Sequence, residues 1–208
     1  MKAIGLRVLL PAALLASLLA TTPACRHRSE TPDPGIPYAT GTTSPKLATY
    51  IFKEEGKLYF FTVGVNATRF HDKDAFIPLA VSLVNKARTP LEITRESFSL
   101  RDPINGARYG MASVQEITRQ GKQDHDRRLM DLDHLATKLE IFNRVSSNFF
   151  PQARVLNDHI QLPNFTYLLD TIYFPRPEGE LLGKTFELHV ECKGLEAPLF
   201  VVFTVPEA

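Results

Sequence analysis

The sequence predicts a mainly β chain, an antiparallel β-sandwich of about seven strands carrying an α-helical insertion. Three observations lead there: period-two alternation of apolar residues, a strong turn dipeptide, and one stretch where the period changes to that of a helix. The stretch Phe76–Tyr109 carries the first two. Leu79, Val81 and Leu83 alternate with Ala80 and Ser82, the pattern of a half-buried strand. Residues 85–90 turn the chain, and Leu91, Ile93, Phe98 and Leu100 are inward candidates on the return. Asn105-Gly106 then predicts a type I′ turn, in which both central residues take positive φ, with Ala107, Arg108 and Tyr109 opening the partner strand.

The flanking elements follow the same logic. Residues 47–52 and 58–65 are β-prone and separated by the turn residues 54–57, which predicts an opening hairpin. Tyr59, Phe61 and Val63 share one face of its second strand, with Leu58, Phe60 and Thr62 on the other. Residues 69–74 read as a polar connection. After the middle of the chain, residues 171–174 form a strand ending at Pro175, followed by a Pro- and Gly-rich turn through Gly183. Phe186, Leu188 and Val190 alternate with Glu187, His189 and Glu191, which predicts one wet face. Residues 193–198 turn the chain, and residues 199–205, apolar on both faces, read as a central strand that closes the sandwich.

Residues 112–150 break the β rhythm. Ser113 and Glu116 are spaced as a capping box that starts a helix, and Gly121 interrupts it. From about Asp126, apolar residues recur at three- and four-residue steps: Leu129, Leu132, Leu135 or Ala136, Leu139 and Phe142. They predict one amphipathic helix ending at Phe149-Phe150-Pro151. Its polar side offers Arg128, Asp131, His134 and Lys138 as a candidate partner-binding surface. The bland reading of the insertion is a cover over apolar sheet. Residues 153–164 read as irregular chain with one short strand.

The order of these signals, from Asn85-Lys86 through Leu91-x-Ile93 to Phe98-x-Leu100 and Asn105-Gly106, resembles immunoglobulin-like domains of bacterial lipoproteins. The resemblance covers roughly residues 47–110 and 165–206. It implies a sandwich in which Asn85-Lys86 and Phe98-Leu100 are turn and packing elements, and it implies no particular activity.

The N-terminus is read separately. Lys2 and Arg7 precede an apolar run from Val8 to Ala20 and a small-residue exit, so residues 1–24 form an export signal. Thr22–Cys25 is similar to the lipobox of bacterial lipoproteins, with Thr22 where that motif has leucine. The resemblance implies diacylglyceryl transfer to Cys25 and an acyl anchor, and Arg26 after the cysteine implies the outer membrane. Plain signal cleavage at the same bond is the alternative; it would leave Cys25 free to pair with Cys192, the second of the two cysteines. With Cys25 lipidated, Cys192 is a lone thiol and is expected to be mostly buried. Residues 25–46, rich in Pro, Gly, Ser and Thr, form a flexible linker, and residues 47–206 form the domain. Without the leader the chain has 22 Lys and Arg against 23 Asp and Glu, a net charge of −1. Such a balance does not favour nucleic acid.

No phosphate loop, dinucleotide fingerprint, HExxH or GxSxG occurs in the sequence. His125 and His134 lie on opposite sides of a continuous helix and share a metal only if that helix breaks. His71, Asp72 and Asp74 offer oxygen ligands without the spacing of calcium loops. His189 and Glu191 share a strand face but make only two ligands. Asn66–Thr68 and Asn164–Thr166 match glycosylation acceptors, relevant only in a eukaryotic host. The expectation is a non-enzymatic, lipid-anchored envelope module with no cofactor and with a protein or glycan partner. The alternative is a metal-dependent binding module or enzyme whose site lies between the insertion and the loop around His71.

Overall fold

The computed structural model describes residues 43–120, 123–130, 132–149, 157 and 159–207. In chain order its strands are β1 (Lys46–Ala48), β2 (Ile51–Glu55), β3 (Tyr59–Gly64), β4 (Phe76–Asn85), β5 (Leu91–Thr94), β6 (Phe98–Arg101) and β7 (Arg108–Gly110). They continue with β8 (Asn143–Arg144), β9 (His159–Leu162), β10 (Thr166–Pro175), β11 (Thr185–Val190) and β12 (Leu199–Thr204). Three short helices, α1 (Val114–Gln120), α2 (Gln123–Leu129) and α3 (Leu132–Lys138), stand between β7 and β8. Against the expectation of about seven strands, the extra ones are short pieces, β1 and β8 at the edges of one sheet and β9 in a separate ribbon with β5.

Two larger sheets and a two-stranded ribbon share one core. The first sheet runs β1-β2-β3-β4-β10-β8, the second β12-β11-β6-β7, and the ribbon pairs β5 with β9. Phe61, Val63, Leu79, Val81, Leu83 and Ile172 from the first sheet meet Phe98, Leu100, Phe186, Leu188, Val201 and Phe203 from the second. Leu91, Ile93, Ile160 and Leu162 of the ribbon join them. Each such side chain, moved out of water, contributes about 1.5–3 kcal/mol. The expected inward residues are therefore the core residues, because period-two alternation places them on one face regardless of what covers the other.

What covers the other face decides where the structure departs from expectation. β4 is buried along both faces rather than half-buried. Its outer side, with Ala80 and Val84, lies in a second apolar cluster with Tyr167 and Leu169 of β10 and with Met130, Leu135 and Leu139 of the insertion. The insertion is thus a cover over the first sheet. Its predicted stripe packs as read, with Leu129, Leu132, Ala136 and Phe142 at the margin of the same cluster. The continuous helix is corrected to separate helical pieces, α2 ending at Leu129 and α3 beginning at Leu132. At that break the Asn66 side-chain amide donates to the carbonyl of Leu129 at 2.7 Å, capping an acceptor at the end of α2. The capping box forms as expected, with Ser113 N–H donating to Glu116 Oε2 at 2.8 Å and Glu116 N–H to Ser113 Oγ at 3.3 Å.

Three other expectations change. Only Gly106 of the Asn105-Gly106 pair has positive φ, so the β6–β7 link is not a type I′ turn. It is a longer loop in which Asp102 Oδ1 accepts from the Ile104 N–H and the Asp102 carbonyl accepts from the Gly106 N–H. The face of β11 read as wet is occluded in part: Glu187 is fully buried, accepts from His189 Nε2 at 2.8 Å and lies opposite Arg101, while the half-buried His189 ring stacks on Phe200 and Glu191 is exposed as read. β12 is an edge strand of its sheet rather than a central one. Ser44, assigned to the linker, runs along β12, its N–H bonding the Val202 carbonyl and its hydroxyl accepting from the Val202 N–H. That contact shields an edge whose unpaired groups would otherwise invite another strand.

Candidate functional site

The site is built where the β1–β2 turn meets the insertion. A pocket of about 380 Å³ opens there, lined by Ala48, Thr49, Tyr50, Ile51, Gly64, Asn66 and Met130. Strand β3 ends at Gly64 and leaves Asn66 at the sheet's end, and the break after α2 supplies Met130. Gly64 suits this place because a Cβ there would press on the Ala80 side chain at 3.1 Å. Once its amide nitrogen is committed to Leu129, Asn66 keeps Oδ1 buried with no partner among the described residues. An acceptor left that way costs about 1–3 kcal/mol until a donor arrives.

An aromatic and cationic stack borders the pocket. The Arg69 guanidinium lies 4.9 Å from the Tyr50 ring and 4.6 Å from the Phe70 ring, and its Nη1 donates to the Tyr50 hydroxyl at 3.2 Å. Phe70 is half exposed. Arg69 Nε is buried without a partner among the described residues. The pocket offers a hydrogen-bond acceptor beside flat aromatic surface, which suits recognition of a polar group with a nonpolar face.

Beneath the insertion lies a polar bolt. His71 is buried, its Nε2 2.7 Å from Asp126 Oδ1 and its Nδ1 2.9 Å from Asp74 Oδ2, the latter close enough for an ion pair but off the hydrogen-bond axis. The Tyr173 hydroxyl donates to Asp126 Oδ2 at 3.1 Å. Burial, and then the charge of Asp126, push the Tyr173 phenol far above its ordinary range, so it remains a donor. Helix α2, the loop after β3 and strand β10 are joined at Asp126. The place assigned to the alternative site is filled by these side chains bonded to one another. His71 belongs to this interior rather than to a polar connection, and Asp72 Oδ1 accepts from the Leu181 N–H at 3.3 Å. Among the described residues no three His, Cys, Asp or Glu are grouped so as to hold a metal ion.

The remaining candidates are distributed as follows. Arg128 is exposed on α2. Asp131 lies outside the described residues, and His134 and Lys138 are on α3 with their side chains outside them. Cys25 also lies outside them. Cys192 is half-buried against the main core, less buried than expected, with a free thiol that burial pushes up to about 11. His189 bonds Glu187, not Glu191. Asn66, read only as a glycosylation acceptor, is the residue whose part was missed; its one signal was an amide inside the apolar run 60–67.

No protein-family model matches the chain, and no curated protein matches it. Two solved structures are similar at low identity. One is a Bacillus subtilis protein provisionally described as a lipoprotein, 10% identical, TM-score 0.39, over 73% of this chain and 38% of that one. The other is a functionally unknown protein from Listeria monocytogenes, 12% identical, TM-score 0.36, over 83% of this chain and 97% of that one. The chain therefore spans well under half the length of the Bacillus protein.

Proposed function

We propose that the chain is a lipid-anchored, non-enzymatic envelope protein whose immunoglobulin-like sandwich presents the pocket at Asn66 to a protein or glycan of the cell envelope. The observation that carries the binding site is the Asn66 Oδ1 acceptor, buried in the pocket wall and left without a donor beside Tyr50 and Met130. A hydroxyl or amide of the partner supplies that donor, and the Tyr50–Arg69–Phe70 stack receives its flat face. The anchor rests on the similarity of Thr22–Cys25 to a lipobox, and the outer-membrane location on Arg26. The immunoglobulin-like description is supported by two sheets, antiparallel except for the short β8–β10 pair, closing on one core.

A photo-crosslinker placed at Thr49 in intact cells tests the site. The expected product is a specific adduct that Asn66→Ala removes. Adducts formed from Arg128 on α2 with none from Thr49 would instead move the working surface to the polar side of the helices. Intact mass of the membrane-extracted protein tests the anchor, and an unmodified Cys25 there would end it.

A further inference from the structure

A second cavity, of about 660 Å³, shares the residues Thr49 and Tyr50 with the pocket at Asn66 but opens towards the second sheet. Its size is that of a small-molecule site, about 300–1,000 Å³. The floor is apolar, made by Phe52 and Val205, both buried in the main core. The two sheets meet there, with the Phe52 and Phe203 rings 6.4 Å apart. The walls carry charge. Lys46 pairs with Phe52 across β1 and β2 and holds its ammonium 5.2 Å from the Phe52 ring centroid. Glu207 follows β12, where the Gly183 N–H bonds the Val205 carbonyl. A Cβ on Gly183 would stand 3.3 Å from Glu207 Oε1, so the glycine, at φ +71, lets the carboxylate lie against the backbone. Lys46 and Glu207 line one cavity, yet neither forms an ion pair with the other or with any other described residue.

We propose that this cavity binds a free apolar dipeptide as a zwitterion, its carboxylate on Lys46, its ammonium on Glu207 and its side chains on Phe52 and Val205. The two unpaired charges select this class. A neutral apolar ligand would strip water from both and leave both unpaired. An anion would answer Lys46 but repel Glu207, and a cation would do the reverse. A long peptide carries its two end charges too far apart for both to lie in one cavity of this size. A dipeptide satisfies both walls with charge-assisted bonds while its apolar side chains cover the floor. Thr43 and Lys46 come from the chain entering β1 and Glu207 from the chain leaving β12, so the ligand also bridges segments that Ser44 and Val202 already join. Its binding stabilises that docking by mass action. The proposal is independent of the pocket at Asn66.

Equilibrium dialysis of the full-length protein in detergent against radiolabelled leucyl-leucine tests the site. Two blocked forms accompany it: N-acetyl-leucyl-leucine, which lacks the ammonium, and leucyl-leucinamide, which lacks the carboxylate. Leucyl-leucine should bind, and each blocked form should bind at least about tenfold more weakly, the effect of losing one charge-assisted bond. Lys46 and Glu207 are both exposed, so substitution there spares the core. Lys46→Gln should weaken leucyl-leucine and abolish its advantage over leucyl-leucinamide, while keeping its advantage over the acetylated form. Glu207→Gln should do the converse. A residue with a merely structural part would instead weaken all three ligands alike when replaced, and that result in either variant overturns the proposal. So does wild-type protein that retains no leucyl-leucine. Equal binding of the free and both blocked forms marks an apolar site only and also overturns it.

Discussion

Replacing Asp126 should do far more damage than its place in a polar helix suggests. Its carboxylate is fully buried and accepts from His71 Nε2 at 2.7 Å and the Tyr173 hydroxyl at 3.1 Å, with His71 and Tyr173 themselves almost inaccessible. Asp126→Ala strands both groups away from water, at about 1–3 kcal/mol each, so a loss of roughly 3–5 kcal/mol follows. A domain of this kind has about 5–15 kcal/mol in total, which leaves the variant marginal. Tyr173→Phe removes one donor while His71 keeps its partner, and should cost about 1 kcal/mol. Urea unfolding of wild type, both single variants and the double variant gives the coupling between the two sites. The double variant should be at least about 1 kcal/mol more stable than the sum of the single losses predicts, because the second change removes a group already stranded by the first. Hydrogen exchange should quicken at Ile117 and Leu135, in the helices of the cover. A loss below about 1 kcal/mol for Asp126→Ala, or strict additivity, would refute the bolt.

Three further outcomes are expected. Gly194 has φ +100, and a Cβ there would collide with the Pro90 carbonyl, so Gly194→Ala should lower stability by about 2 kcal/mol or more, read from its urea midpoint. Burial of Asp102 opposes its ionisation, but hydrogen bonds from Lys184 and the backbone N–H groups of Ile104 and Asn105 outweigh it and hold the carboxyl below the usual range. A depressed folded-state pKa stabilises the fold above the unfolded value and loses that contribution as pH falls through the folded one. Asp102→Asn should therefore cost about 1–3 kcal/mol at pH 7 and much less near pH 2, and a pH-independent difference would contradict this. Because burial pushes the Cys192 thiol up to about 11, its reaction with a disulfide reagent at pH 8 should be roughly a hundredfold slower than in urea, where the ordinary thiol returns.

The inner face of the sandwich was legible in the sequence because alternation needs no knowledge of the partner sheet: Phe61, Val63, Leu79 and Leu188 occupy the core as read. The capping box at Ser113 was legible for the same local reason. Outer faces were not. Whether Glu187 is wet or β4 is covered depends on chain packed there from elsewhere, and a charged residue beside His189 looks solvated until its partner is in place. The helix break was hidden because the apolar stripe persists through it, and only the Asn66 amide, far upstream, takes the Leu129 carbonyl. The pocket was illegible for a related reason, since it is assembled from a turn, a strand end and a helix end widely separated in sequence.

The docking of Ser44 and of β1 along the strands has a mechanical consequence. A pull on this segment along the axis of β1 loads the bonds from Ser44 to Val202, from Lys53 to the Pro45 carbonyl and between β1 and β2 together, in shear. A pull across the sheet would instead open the same bonds one after another, like a zipper.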